Sequence, residues 1–304
     1  MIQFVLKLIS PAFSEKDTEA LVAWVMGYAE TVGHNQERIN DKALPPATLH
    51  QFTLAFQQPD EPDLFHQQLF KQLLNKSFPA PLPYAVSMAT KQVAETPKRL
   101  VVFDMDSTVI NQEVIDEIAR RFGLYDEVAA ITEEAMQGQL DFKQSLARRC
   151  ELLKGMPFSK AESILAELTL SPGADLLIDE LHSRTIKTAI VSGGFDFVLK
   201  YFQQQLLVDE VHGHHLHRDS SGALLGTVEA PIIDAERKKH LVSEMKQKYQ
   251  ATFEQTVTIG DGANDMLMMG EAGTSVSFCG KPKLAEVCNT LILQRNLLWL
   301  KYLI

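Results

Sequence analysis

Two aspartates one residue apart, Asp104 and Asp106, stand at the end of the apolar run 100–103, in the stretch DMDST. Alternate residues of an extended strand point the same way, so both carboxylates can face one pocket. Carboxylates that close repel, and one keeps a proton unless a cation intervenes. Such a pair offers an ionised nucleophile beside a proton-carrying acid/base. A second acidic stretch, GDGAND, sets Asp261, Asn264 and Asp265 among glycines. Hard oxygen donors of this kind suit Mg2+, which takes one or two carboxylates and keeps several waters. The spacing is GxGxxD and not the dinucleotide fingerprint GxGxxG, and no GxxxxGKS/T phosphate loop occurs. Ser192-Gly193-Gly194 joins a hydroxyl, a backbone amide and a helix start, which together can hold an anion. Lys238 follows Asp234 in a stretch rich in Lys and Glu. Each feature alone has a plainer reading. DMDST and SGG can be helix caps, GDGAND an Asx-rich turn, and Lys238 a solvated surface residue.

The elements that must carry these groups argue for the chemical reading. Short apolar runs recur at 100–103, 188–191, 208–211, 257–259, 276–278 and 291–293, with helical stretches between most of them. That pattern predicts a parallel, doubly wound α/β sheet. The runs at 100–103, 188–191 and 257–259 end in DMDST, SGG and GDGAND respectively. In an open parallel sheet those ends share one edge, where ligands bind. About 70 residues between Glu113 and residue 188 show helical patterning without strand signals. They predict a helical cap inserted at about 114–175.

Residues 1–90 have a different texture. A strand at 2–9, a helix at 15–31, a strand at 50–57, a helix at 65–74 and a strand at 84–88 are expected. A weaker strand signal near 36–39 completes a β-α-β-β-α-β order, that of a ferredoxin-like or ACT-like α+β unit. The polar stretch 89–98 reads as a linker to a core spanning 91–304.

The 304 residues suit about two domains, and 45% hydrophobic with 22% charged residues is the balance of a globular chain. A formal charge of −10 gives nucleic acid no global attraction. Any anionic ligand must be met by local cations or a metal. No apolar run is long enough to span a bilayer, and MIQFVLKLISPAF lacks the basic start of a signal peptide. The three cysteines, Cys150, Cys279 and Cys288, form neither a disulfide framework nor a zinc spacing, which fits a cytoplasmic location. Cys279 and Cys288 read as small buried hydrophobes. His212, His214, His215 and His217 crowd into VHGHHLHR, where zinc is conceivable, but they precede a DSSG turn and read as part of a hairpin.

DMDST, SGG, Lys238 and GDGAND, in that order, resemble the haloacid dehalogenase (HAD) superfamily, and over residues 98–304 the resemblance narrows to its phosphoserine phosphatase branch. The stretches DMDSTVINQEVIDE, TEEAMQGQLDFKQSL, IVSGGF and IGDGANDM carry it. The resemblance implies a HAD-type Rossmann-like core and an Mg2+-dependent release of L-serine and phosphate from O-phosphoserine, the last step of a phosphorylated route to serine. It implies that Asp104 is the nucleophile forming an aspartyl-phosphate and Asp106 the acid and then the base. The Asp104 carboxylate, the Asp106 backbone carbonyl and Asp261 would hold the metal, with Asn264 and Asp265 in or near its outer ring of contacts. Ser192, Gly193 and Lys238 would hold phosphoryl oxygens. Glu113 would meet the substrate ammonium and Arg149 its carboxylate, while Met136 and Phe142 would exclude water. A small-molecule substrate and a homodimer are implied, with no membrane or nucleic-acid partner.

Three other readings compete. A related phosphatase could act on phosphohomoserine or phosphoglycolate. A phospho-accepting receiver domain uses a similar acidic site, but has about 120 residues and no cap. Residues 1–90 could also make the chain chiefly an amino-acid sensor.

Overall fold

A computed structural model describes residues 2–11, 14–27, 29–56, 61–74 and 82–304, with the side chains of 30–32, 70–74 and 136 outside the description. The expected helix residue Tyr28, the expected strand residue Gln57 and Pro81 therefore lie outside the described residues.

The chain opens with β1 (Ile2–Pro11), α1 (Glu15–Met26), β2 (Glu30–Ile39), β3 (Ala47–Phe56), α2 (Glu61–Leu74) and β4 (Ala85–Thr90). These strands pair antiparallel in the order β2-β3-β1-β4, the ferredoxin-like arrangement. Phe52, Leu54 and Phe56 alternate along β3, so all three face one side and pack with Leu21, Val25, Phe65 and Leu69 of the two helices. Ser14 caps α1 with a capping box to Asp17. The helix stops at Met26 and not near residue 31, and the chain turns into an edge strand longer than the four residues expected.

The expected linker is structured. After β4 comes α3 (Lys91–Glu95), capped by Thr90. Lys98 is buried, and its ammonium donates to the Val93 and Glu254 carbonyls at 2.6 and 3.0 Å.

The larger part holds β5 (Leu100–Phe103), α4 (Val114–Phe122), α5 (Tyr125–Met136), α6 (Phe142–Glu151), α7 (Phe158–Glu162), α8 (Ala174–Ser183), β6 (Lys187–Phe195), α9 (Asp196–Leu206) and β7 (Glu210–His214). Then follow β8 (Leu216–Arg218), β9 (Leu224–Val228), α10 (Ala235–Lys248), β10 (Thr256–Gly260), α11 (Met266–Met269), β11 (Thr274–Phe278), α12 (Pro282–Ala285), β12 (Thr290–Ile292) and α13 (Leu300–Leu303). The order β12-β11-β10-β5-β6-β7 is parallel throughout. Alternate residues of its strands are buried on opposite faces. Val101, Phe103, Ile190 and Ile259 pack with Leu177, Val198 and Trp299, while Leu100, Val102, Ala189 and Val191 pack with Leu241, Val242 and Met245. Burial on both faces is why these strands read as unbroken apolar runs.

The two sheets are one. β4 pairs antiparallel with β12, so ten strands run continuously from β2 to β7. Ser87 and Thr290 face each other across that join, and their buried hydroxyls are 2.9 Å apart.

Helices α4 to α7 and the short turn Ser163–Ala166 form the insertion between β5 and β6. The β8–β9 hairpin fastens to it. Leu224 N–H donates to the Met156 carbonyl at 2.8 Å, and Gly155 N–H to the Leu224 carbonyl at 2.7 Å.

Candidate active site

β5 lies between β10 and β6, so the segments leaving all three meet at one edge of the sheet. Asp104 follows β5 directly and accepts from its own neighbour, Met105 N–H, at 2.8 Å. The chain then turns sharply, with Ser107 in the left-handed region at φ 55°. That conformation is costly for a side-chain-bearing residue and needs external support. Support comes from Arg295, which donates to the Ser107 carbonyl at 3.1 Å and to Asn111 Oδ1 at 3.1 Å. The turn sets Asp106 beside Asp104, and its Oδ1 accepts from Val114 N–H at 3.2 Å. Arg295 sits in a C-terminal stretch with no motif around it, so the sequence carries no signal for this role.

Lys238 joins the acidic segments. Its ammonium donates to Asp104 Oδ1 and Asp265 Oδ1, both at 2.7 Å, and all three side chains are buried. α10 aims it there, started by Asp234, which accepts from Arg237 N–H. Asp265 is held from its other side by the Asp261 and Gly262 N–H groups, each at 3.2 Å from Oδ2. Gly260 makes that tuck possible, because a Cβ there would lie 2.3 Å from Asp265 Oδ2. Asn264 donates to Asp265 Oδ1 at 3.3 Å.

The electrostatics sort the carboxyls. Burial holds Asp106 well above the ordinary carboxylate range, and the Glu113 and Asp104 charges push it further. Burial, then Asp104, pushes Asp265 up to about 7 despite Lys238. Asp261 is raised by burial and by Asp104. Burial alone would lower Lys238, but the Asp104 and Asp265 charges outweigh it and keep the ammonium protonated.

Ser192 is buried within β6, which runs on through Ser192-Gly193-Gly194 to Phe195, and its Oγ accepts from Gly194 N–H at 2.8 Å. Gly193 lies under the cap, since a Cβ on it would meet Phe142 Cζ at 2.8 Å. Gly194 lies equally close to Asp106, whose Oδ2 would be 3.1 Å from such a Cβ. Lys143, next to Phe142, bridges to Asp234 at 3.1 Å and ties cap to core.

The cap-side residues are looser. Glu113 precedes α4 and accepts from Ser107 Oγ at 2.9 Å. Although Glu113 is exposed at the rim, desolvation by its surroundings, ahead of the Asp261 and Asp104 charges, holds its carboxyl above the ordinary range. Arg149, on α6, donates through Nε to its own helix at the Ser145 carbonyl, 3.3 Å away. Its charge acts on Asp116, Glu113 and Asp106. Met136 ends α5, and its side chain lies outside the described residues.

The histidines do not converge. His212 pairs with Glu210 at 2.8 Å, His215 with Asp196 at 3.1 Å and His217 with Thr227 at 3.0 Å, while His214 turns inward. Cys288 is buried, but Cys279 is exposed, a correction to the expected buried pair. It follows the last residue of β11 at φ 47°, a turn that leaves its side chain outside the core.

Among the described residues, Asp104, Asp261 and Asp265 place carboxylate oxygens within 4.8 Å of one another. Asp265 is already engaged by Lys238 and two N–H groups. The half-buried Asp261 carboxylate accepts no hydrogen bond among the described residues, an acceptor that a hard cation would satisfy. The donor set thus fits a divalent ion.

Comparison with known proteins places this geometry. Residues 98–273 match the family model of haloacid dehalogenase-like hydrolases. A phosphoserine phosphatase of Archaeoglobus fulgidus is 40% identical over 203 residues, 67% of this chain and 59% of that protein. One of Methanocaldococcus jannaschii is also 40% identical over 203 residues, 67% of this chain and 96% of that protein. The chain therefore spans just under three fifths of the first relative and nearly all of the second. The solved HAD family hydrolase t0658 of Salmonella enterica serovar Typhi superposes with a TM-score of 0.82 at 26% identity, covering 99% of this chain and 98% of that one. An aspartate pair after one parallel strand, a lysine-bridged acidic loop after its neighbour and a helical cap over both are accounted for together: the chain belongs to the haloacid dehalogenase-like hydrolases.

Proposed function

We propose that this chain is a phosphoserine phosphatase, hydrolysing O-phospho-L-serine to L-serine and phosphate in two steps through an aspartyl-phosphate. One observation carries the reading. Asp104 is ion-paired with buried Lys238, while burial and the Glu113 and Asp104 charges hold its neighbour Asp106 above the ordinary carboxylate range, which favours the proton-carrying form. Nucleophile and acid are thus distinguished before substrate arrives. The names of the two relatives supply the substrate.

Asp104 Oδ attacks phosphorus and the bond to the serine oxygen breaks. Asp106 gives its proton to that leaving oxygen, then takes one from the water that attacks the aspartyl-phosphate and frees Asp104. Ser192 Oγ–H, Gly193 N–H and Lys238 donate to phosphoryl oxygens, with Asn264 at the same end of the pocket. Splitting the displacement in two lets fixed donors act in both halves. Mg2+ would be held by Asp104, the Asp106 backbone carbonyl and Asp261, and when bound it neutralises charge on the phosphoryl group. Arg149 offers its planar fork to the substrate carboxylate and Glu113 faces the ammonium. Phe142 and Met136 exclude water. Within this proposal, residues 1–90 are an ACT-like unit, supported by the ferredoxin-like strand order and the apolar cluster around Phe52. The cytoplasm and a homodimer are proposed on the same footing.

The test is phosphate release from O-phospho-L-serine with and without Mg2+, beside Asp104→Asn. The wild-type chain is expected to turn over and the variant to be inactive while still folded. Activity surviving in the variant would overturn the mechanism. A preference over phosphoglycolate of less than about tenfold, ~1.4 kcal/mol, would overturn the substrate.

A further inference from the structure

Of the histidines in VHGHHLHR, His214 is buried and held at both ring nitrogens. Nδ1 lies 3.0 Å from the Gly193 carbonyl oxygen, and Nε2 lies 2.7 Å from the Ile233 nitrogen. A carbonyl can only accept and a backbone N–H can only donate, so Nδ1 carries the proton and Nε2 does not. The neighbours thus fix one neutral tautomer. Burial also holds the pKa below the ordinary histidine value.

We infer that His214 is a positioning residue that sets the direction of the Ser192 hydroxyl and spaces it from the helix bearing Lys238. The inference rests on the reading of Ser192 and Gly193 as the phosphoryl cradle. The peptide group between Gly193 and Gly194 is planar, so holding its carbonyl at one end aims its N–H at the other. That N–H donates to Ser192 Oγ at 2.8 Å. With one acceptor position of Oγ filled, the hydroxyl proton turns to the anion in the pocket. At the far side of the imidazole, Ile233 immediately precedes Asp234, the cap of α10. One ring therefore touches both elements that hold phosphoryl oxygens. Close approach is built in at Gly213, where a Cβ would lie 2.1 Å from Leu199 Cδ1 and 3.3 Å from the Gly194 carbonyl oxygen.

The full chain carrying His214→Asn, His214→Gln or His214→Ala separates positioning from packing. Asn places an N–H donor where Nδ1 stands and can keep the Gly193 carbonyl. Gln reaches the Nε2 place and can accept from Ile233, but leaves that carbonyl unpaired. The readouts are KM for O-phospho-L-serine and the inhibition constant of inorganic phosphate, with melting temperature measured alongside. Asn is expected to hold both constants within about twofold, while Gln and Ala raise both about tenfold, the effect of one hydrogen bond in a buried network. Equal losses in Asn and Gln, or unchanged constants in Ala, would overturn the positioning role. A second readout is independent of turnover. The ring 15N resonances of His214 should show the Nδ1–H tautomer and move when inorganic phosphate is added. If wild-type chain releases no phosphate from phosphoserine, the assigned substrate fails and the resonances alone decide. No phosphate-dependent change there would sink the inference.

Discussion

At the floor of the cleft Lys238 reaches Asp104 and Asp265 at 2.7 Å each, with all three side chains buried, whereas at the cap-side wall Arg149 spends one N–H on its own helix at 3.3 Å. The rest of the Arg149 fork has no protein acceptor among the described residues. Burying three charges is costly, and only full pairing offsets it. The floor must therefore be complete before any ligand arrives, and a defect in it reaches the fold as well as the chemistry. The wall is half in water, so its charges can wait for a partner. Under the proposed function, the difference separates what the pocket does to any phosphate ester from how it chooses among them.

The harshest way to break this contrast is Lys238→Met. It leaves Asp104 and Asp265 facing each other without a cation, and uncompensated buried charge costs roughly 3–5 kcal/mol. Activity should vanish and the denaturation midpoint fall together. A stable but inactive variant would show that the floor is less coupled to folding than its burial indicates. Asp106→Asn is the next step down. With no proton to give, kcat should fall about 10²–10⁴-fold, as for the loss of a general acid. In kcat/KM, which reports the phosphorylation step alone, the loss should be smaller with p-nitrophenyl phosphate, whose leaving group needs no proton, and equal kcat/KM losses on both esters would contradict the acid role. Arg149→Ala tests the wall. KM for phosphoserine should rise about tenfold with kcat little changed, while hydrolysis of phosphoethanolamine, which keeps the ammonium and lacks the carboxylate, stays the same. A matching fall in kcat on both substrates would mean that the wall belongs to the floor.

The smallest effect is thermal. The pKa values of Asp106, Glu113, Asp261 and Asp265 are raised, Asp265 to about 7. A folded pKa above the unfolded one means that the native state binds more protons. Stability from these groups is therefore present at low pH and lost as pH rises through about 4 to 7. Buried histidines held low, such as His50 and His214, act in the opposite sense over the same range. The clean measurement is the shift in melting temperature on adding Mg2+ at each pH, in which the histidines cancel. It should be larger at about pH 8 than at about pH 5, because the Asp261 carboxyl, held above its ordinary range, must release its proton to hold the ion. A shift independent of pH would count against Asp261 as its ligand.

Much of the core was legible because parallel strands buried on both faces, such as Leu100–Phe103 and Thr256–Gly260, leave runs that stop where the polar groups begin. Other features were faint or hidden. Only 36–39 of β2 signalled a strand, because ETVGHNQERI, at a sheet edge, carries charge that suits solvent and blurs its alternation. The stretch 89–98 is polar yet pinned, because Lys98 finds two carbonyls that only the folded chain brings near. Arg295 and His214 act through backbone groups distant in sequence, and no local pattern encodes such a partner. Each strand at the β4–β12 join was expected, but its pairing was not, for the same reason.

That join has a consequence beyond architecture. β12 is three residues long, and its outer side is hydrogen-bonded to β4. Cutting the chain after residue 90 would bare the amide and carbonyl groups of β12 along one flank and those of β4 along the other. Bare flanks of this sort invite self-association between copies. The first ninety residues thus cover a sheet flank that would otherwise stand open.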